Sequence, residues 1–468
     1  ENPPAMDSRW KERLEEQRCE YAAGFRQQLC LAAVADLVKG ATPSKNGVLQ
    51  DFLYQGLKNL ITHEVGHTLG LRHNFKSSAM IALKDLFDKE KAEKQGLIGS
   101  VMDYDLCVIA PPGQEQGYYF SPTVGAYDLL AIQYGYKECS DDDLKKLAAT
   151  ASQSPYLYGT DGDVGLGVDP LTQTRDMSDD PIAWADMRVK VYTNIWKNLS
   201  EKIVKEGDNY NRLRDAFMYT LSGLNNDLYH AASFVGGIYI SRDHKGDPEE
   251  DPTFKIVPAA KQREALRLVC DVTLKGDIFK FDPELISRLG PNLWDHWGSS
   301  GYRGDVDIHY QITIMQLITL SQLMNYEVLT RVHNSPYYLK AEEEAITIDE
   351  IYRSVTDAIF AELKKDPKST QWTAANPFVE PQRRDLQRMY LKFFLLQDLL
   401  LDPTTSTFLP QDVLSTSRNV TLDLRKNVDS LIQSVNDGSV SLDPMSLAHL
   451  REVQTQLAKS LEANMQAR

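Results

Sequence analysis

The sequence predicts a mainly α-helical protein, on three observations. Apolar residues recur at three- and four-residue intervals along most of the chain, the period of an amphipathic helix. Only one short run, Gly237-Ile238-Tyr239-Ile240, reads as β. Glycine and proline gather in few places, chiefly residues 155–181, and leave long stretches free of helix breakers.

Taken in order, a first helix runs from about Arg9 to Val38, capped by Asp7 or Ser8 and stopped by Gly40. After the loop 41–47, a second runs from about Val48 to Leu69. Residues 74–100 are mixed, and Pro111, Pro112 and Gly113 mark a loop. A helix then follows Ser121-Pro122 to about Tyr134. The break at 155–181 contains Asp161-Gly162-Asp163, which lacks the spaced oxygen ligands of a calcium loop and reads as a solvated turn.

Helical patterns near 183–206 and 209–233 precede the β-like run, 243–252 reads as an exposed loop, and 259–274 as a helix. Beyond a second break at Gly298–Gly304, patterns near 308–333, 347–365, 379–401 and 443–465 make a long helical C-terminal region. In the third of these, Leu386, Tyr390, Phe393, Phe394 and Leu400 share one face, as a core-facing helix requires. Asp141–Asp143 and Glu342–Glu344 read as solvated helix starts. His296 and His309 read as packing or surface residues. These breaks divide the chain into 1–140, 141–302 and 303–468.

Composition removes several functions. The 42% hydrophobic content is too high for wholesale disorder. With 51 basic against 66 acidic side chains, the net charge of −15 repels phosphate backbones and anionic lipid, so no nucleic-acid partner is expected. No stretch reaches the ~18 apolar residues of a membrane span. Five cysteines show no CxxC spacing, which argues against a cysteine zinc site or a disulfide scaffold. The chain opens on Glu-Asn-Pro-Pro without an initiator Met or a signal peptide, and so reads as an interior segment of a longer protein.

One segment carries chemistry: Ile61-Thr62-His63-Glu64-Val65-Gly66-His67-Thr68-Leu69-Gly70-Leu71-Arg72-His73. His63 and His67 are four residues apart, about 400° and 6 Å along a helix, so both imidazoles leave one face. Glu64 stands where its carboxylate can reach a water held by the same ion. Six further helical residues would carry His73 away from that ion. The chain must therefore turn back, and Gly70 sits where a left-handed helix end is needed. Three imidazoles leave the fourth position of a tetrahedral Zn²⁺ for water, the arrangement of a catalytic site.

This HExxHxxGxxH pattern, followed by a methionine turn, resembles the metzincin zinc peptidases. The turn is Ser100-Val101-Met102-Asp103-Tyr104, with Met102 lying 29 residues past His73. The resemblance implies that Met102 forms an apolar floor beneath the ligands and that Tyr104 approaches the zinc or stabilises the oxyanion. It also implies that residues 105–112 form a wall beside the scissile bond. His73-Asn74-Phe75, the segment Gly125 to Tyr136 and the segment Phe234 to Ile240 are similar to large bacterial-type Met-zincins, strongly over 10–140 and more loosely to about 275.

That family implies a zinc-dependent metalloendopeptidase acting on a peptide or protein substrate, with Glu64 as general base, in an extracytoplasmic or secreted setting. In metzincins a twisted β-sheet precedes the metal-binding helix and holds the substrate. Here only 62 residues precede His63 and they read as helical. The upstream sheet is thus expected to be absent from this chain: either an upstream segment or another polypeptide supplies it, or it is missing altogether. The alternative function is a catalytically inert, zinc-containing scaffold or binding subunit of a larger assembly.

Overall fold

A computed structural model describes residues 21–39, 48–151, 153–248, 250–291, 304–396 and 410–466. The helix cap at Asp7 or Ser8, Gly40, His296, residues 298–303 and Leu400 lie outside these residues. Among the described residues the fold is mainly α, as expected, and the only sheet has two strands. No helix among them is long and apolar enough to cross a membrane. The chain divides into two compact units. The first holds residues 1–161, 174–180 and 190–222, and the second 162–173, 181–189 and 223–468.

The first unit contains α1 (Tyr21–Val38), α2 (Val48–Thr68), α3 (Lys89–Gln95), α4 (Ala126–Tyr136) and α5 (Asp141–Ala148). Helices α1 and α2 pack together. Phe25 of α1 meets Phe120 with ring centroids 5.5 Å apart, and Phe52 of α2 meets Tyr119 at 5.8 Å. Helix α3 lies inside the stretch read as mixed. Its start is set by Asp88, whose carboxylate accepts from the Lys91 N–H. Asp141–Asp143 fill the first turn of α5 behind the cap Ser140, as expected of a solvated helix start.

A short helix α6 (Asp161–Leu166) replaces the turn expected at Asp161-Gly162-Asp163. Helices α7 (Pro181–Ile203) and α8 (Asn211–Ala232) each have residues in both units. In the second unit β1 (Ile238–Ile240) pairs antiparallel with β2 (Phe254–Ile256), in the register Ile238 to Ile256. The exposed loop expected at 243–252 is the connection between them. Then follow α9 (Ala259–Val269), ending in a π-turn at Cys270–Leu274, and α10 (Pro283–Ser287).

The C-terminal helices are α11 (Ile308–Met324), α12 (Tyr326–Asn334), α13 (Ile348–Ile359), α14 (Pro381–Tyr390), α15 (Gln411–Asn436) and α16 (Pro444–Gln466). The single helix expected over 308–333 breaks at Asn325, whose side chain accepts from the Val328 N–H and caps α12. Glu342–Glu344 do not start a helix. They precede α13, which begins after Thr347, and Glu344 pairs with Arg263 at 2.8 Å. His309 is half-exposed beside Asp385, a surface residue as expected.

Two packing outcomes differ from the periodicity. Phe393 is 45% exposed although it was expected to face the core. The backbone widens into a π-turn over Leu391–Leu395, which advances the register by one residue. Leu391 and Leu395 then point inward instead. Deeper in the same unit, Arg383 is buried against Glu362, with Nε 2.6 Å from the carboxylate. Its guanidinium also donates to the carbonyls of Ala358 and Ile359, the last residues of α13, and to that of Leu274. Terminal helix carbonyls have no partner of their own within the helix, so one arginine ends α13 and ties it to the segment after α9.

Candidate metal centre

The centre lies in the first unit, where α2 ends. His63 and His67 leave one face of the helix. The helix then stops in a Schellman arrangement: Leu71 N–H donates to the Gly66 carbonyl and Gly70 N–H to that of His67, at 3.1 and 3.0 Å. Gly70 takes φ +82°, which a side chain would strain. The reversal returns His73 to the two helical imidazoles. One ring nitrogen of each of His63, His67 and His73 lies within 4.8 Å of the others.

The other ring nitrogen of each is anchored. Nδ1 of His63 donates to the Val101 carbonyl at 2.7 Å, Nδ1 of His67 to that of Leu71 at 3.1 Å, and Nδ1 of His73 to Oδ1 of Asp161 at 2.7 Å. A carbonyl or carboxylate can only accept here, so the proton sits on Nδ1 and the lone pair of Nε2 faces the common space. Nε2 of His67 is buried and meets no hydrogen-bond partner. A buried polar atom is ordinarily satisfied, so three convergent imidazole nitrogens, one of them orphaned, fit a metal ion. Burial holds the His63 imidazole down at about 3, with the Val101 carbonyl opposing this, which keeps it neutral and able to ligate.

The turn around Met102 is built to hold these rings. Met102 is fully buried, and its Sδ stands where a Cβ on Gly66 would lie, against the helix between His63 and His67. Asp128 in α4 grips the turn: it accepts from Ser100 Oγ at 2.5 Å and from the Val101 and Gly125 N–H groups at 2.9 Å. The same Val101 supplies the carbonyl for His63. Thus the segment Gly125 to Tyr136 supports the centre through the Asp128 carboxylate, and the Tyr136 hydroxyl donates to the Leu69 carbonyl at 3.0 Å where α2 ends. Replacing Asp128 with Ala leaves buried donors unsatisfied. The variant is expected to lose about 2–3 kcal/mol of unfolding free energy in a urea titration. An unchanged midpoint would mean the clamp does not hold the turn.

Tyr104 is buried, with its hydroxyl 3.2 Å from His73 Nε2, the ring nitrogen left free of the Asp161 contact. Glu64 is exposed on α2 beside His63. Residues Leu106 to Ala110 are buried. Tyr21 of α1 stacks on both His63 and Tyr104, at ring centroid distances of 4.8 and 5.4 Å. Its hydroxyl donates to Asp105 at 2.5 Å and accepts from Asn59 at 2.6 Å. Burial raises the carboxyls of Asp103 and Asp105.

Three contributors were not visible in the sequence: Tyr21, Asn59 and Asp161. Asp161 is exposed, as a solvated turn implies, and its carboxylate also meets His73 from 88 residues downstream. The available signal was general: a metal-binding histidine needs an acceptor for its second nitrogen, and the aspartate-rich stretch after 155 offered several.

Comparison with known families gives one result. The family model described as Met-zincin matches residues 45–367, more than half of the chain. No curated protein and no solved structure matches.

Proposed function

The chain belongs to the Met-zincin family of metallopeptidases, and on that footing we propose that it is a zinc-dependent endopeptidase whose metal is held by His63, His67 and His73. The observation that carries this reading is the convergence of three imidazole nitrogens, each ring fixed through its Nδ1. Zinc bound there supplies Lewis acidity, polarising a peptide carbonyl and lowering the pKa of water from 15.7 to roughly 7.

The remaining work falls to the chain's own groups. Glu64 takes the proton from the attacking water and passes it to the leaving amine. Its exposure beside His63 suits a group that must meet substrate. The Tyr104 hydroxyl, 3.2 Å from His73 Nε2, donates to the carbonyl oxygen as negative charge develops. Gly70 and Met102 support the ligands, one by turning the chain and one by filling the space beneath.

Substrate binding calls for more than these residues. Leu53, Leu57, Ile61 and Val65 on α2, and Leu69 just past its end, follow one another at four-residue steps and are between 36% and 60% exposed. An apolar stripe of that length on the metal-binding helix supports a sheet packing there, supplied by an upstream segment or another polypeptide. The same stripe favours the second reading, an inert zinc-holding subunit of a larger assembly.

Metal analysis and a peptide-library assay decide between them. Wild type should contain one zinc per chain and cleave peptides, and His67→Ala should lose both. Zinc without cleavage would favour the scaffold reading. Cleavage that survives His67→Ala or chelation would overturn the proposal.

A further inference from the structure

Asp161 is held from several directions. Its Oδ1 accepts from His73 Nδ1 at 2.7 Å, while Oδ2 accepts from Thr160 Oγ1 at 3.0 Å and lies 3.8 Å from the Arg72 guanidinium. Both oxygens are therefore engaged, and the carboxylate cannot turn without breaking a contact.

The strand of chain leading to it is also anchored, and independently. Asn74, fully buried, donates from Nδ2 to the Leu157 carbonyl at 2.9 Å and accepts from the Gly159 N–H at 3.1 Å. Phe75 N–H donates to the Gly159 carbonyl at 2.6 Å. Residues 157–159 are thus stitched to the two residues after His73, which delivers Asp161 to the imidazole. This accounts for the His73-Asn74-Phe75 sequence: the first residue faces the metal space and the next two secure its support.

We propose that Asp161 is a positioning residue for the metal centre, one that holds His73 with its proton on Nδ1 and its Nε2 turned to the metal space. The inference rests on the zinc-peptidase reading above and adds a residue to it. A carboxylate behind a ligating histidine fixes its tautomer and raises its basicity, and losing such a partner weakens metal binding about 10–100-fold.

The test uses the full chain and zinc alone. Zinc dissociation constants are measured by competition with a chromogenic chelator for wild type, Asp161→Ala and Asp161→Asn. The metal-free proteins are also labelled with ¹⁵N-histidine, and the His73 tautomer is read from its ring nitrogen shifts. Asp161→Ala should bind zinc about 10–100-fold more weakly and shift His73 towards the Nε2–H form. Asp161→Asn keeps an acceptor without the charge and should fall between.

A role confined to folding would lower the melting temperature and leave the tautomer alone, which overturns the proposal. So would unaltered zinc affinity in Asp161→Ala. Should wild type itself bind no zinc, the peptidase reading fails, and the tautomer alone then decides whether Asp161 controls His73.

Discussion

Glu64→Gln should retain its zinc and lose turnover. The side chain is exposed and is not one of the three nitrogen donors, so an isosteric amide there leaves both fold and metal content in place, within the ±0.5 kcal/mol usual for surface changes. What disappears is the base. A glutamine cannot accept the proton of the attacking water, and general-base catalysis contributes about 10²–10⁴-fold. The expected result is a kcat lower by that factor on the best library peptide, with one zinc per chain by elemental analysis. Equal kcat in the two proteins would remove Glu64 from the mechanism. Loss of zinc in the variant would mean that the carboxylate holds the metal.

The largest expected effect on stability lies in the second unit. Arg383→Met deletes the charged partner of the buried Glu362, which keeps only the Gln387 amide at 3.0 Å, and leaves the Ala358, Ile359 and Leu274 carbonyls without this donor. Breaking a buried ion pair from one side costs about 3–5 kcal/mol, because the remaining charge stays buried without an opposite charge. Urea titration should show a loss of that size. Adding Glu362→Gln to the same chain removes the orphaned charge and should recover part of it. A single variant within 1 kcal/mol of wild type would show that water reaches Glu362 and that the pair does little to hold α13.

The parts of the centre that were legible in the sequence are those set by local geometry. His63 and His67 follow from helical period, and His73 from the need for a reversal that Gly70 permits. Met102 and Tyr104 came from resemblance, on the turn Ser100 to Tyr104. Asp161 and Tyr21 are brought to the imidazoles by long-range packing, 88 and 42 residues away along the chain from His73 and His63. No local pattern encodes which distant residue arrives.

The fold divides in the same way. Helix α15, the longest helix described, was missed because it is rich in Ser, Thr, Asn and Val, which are poor helix formers. It is held by tertiary packing of Val413, Val420, Leu424, Val428 and Ile432, which recur on one buried face. Phe393 was misplaced because a π-turn is invisible to a 3.6-residue period.

The reversal at the end of α2 makes the six-residue interval between His67 and His73 behave as a ruler. The bonds that terminate the helix also put the Leu71 carbonyl within reach of His67 Nδ1, so secondary structure and ligand orientation are one object there. Inserting or deleting a single residue in that interval rotates one partner away from the other. The ligand geometry therefore tolerates exchanges of side chain in this stretch only at fixed length.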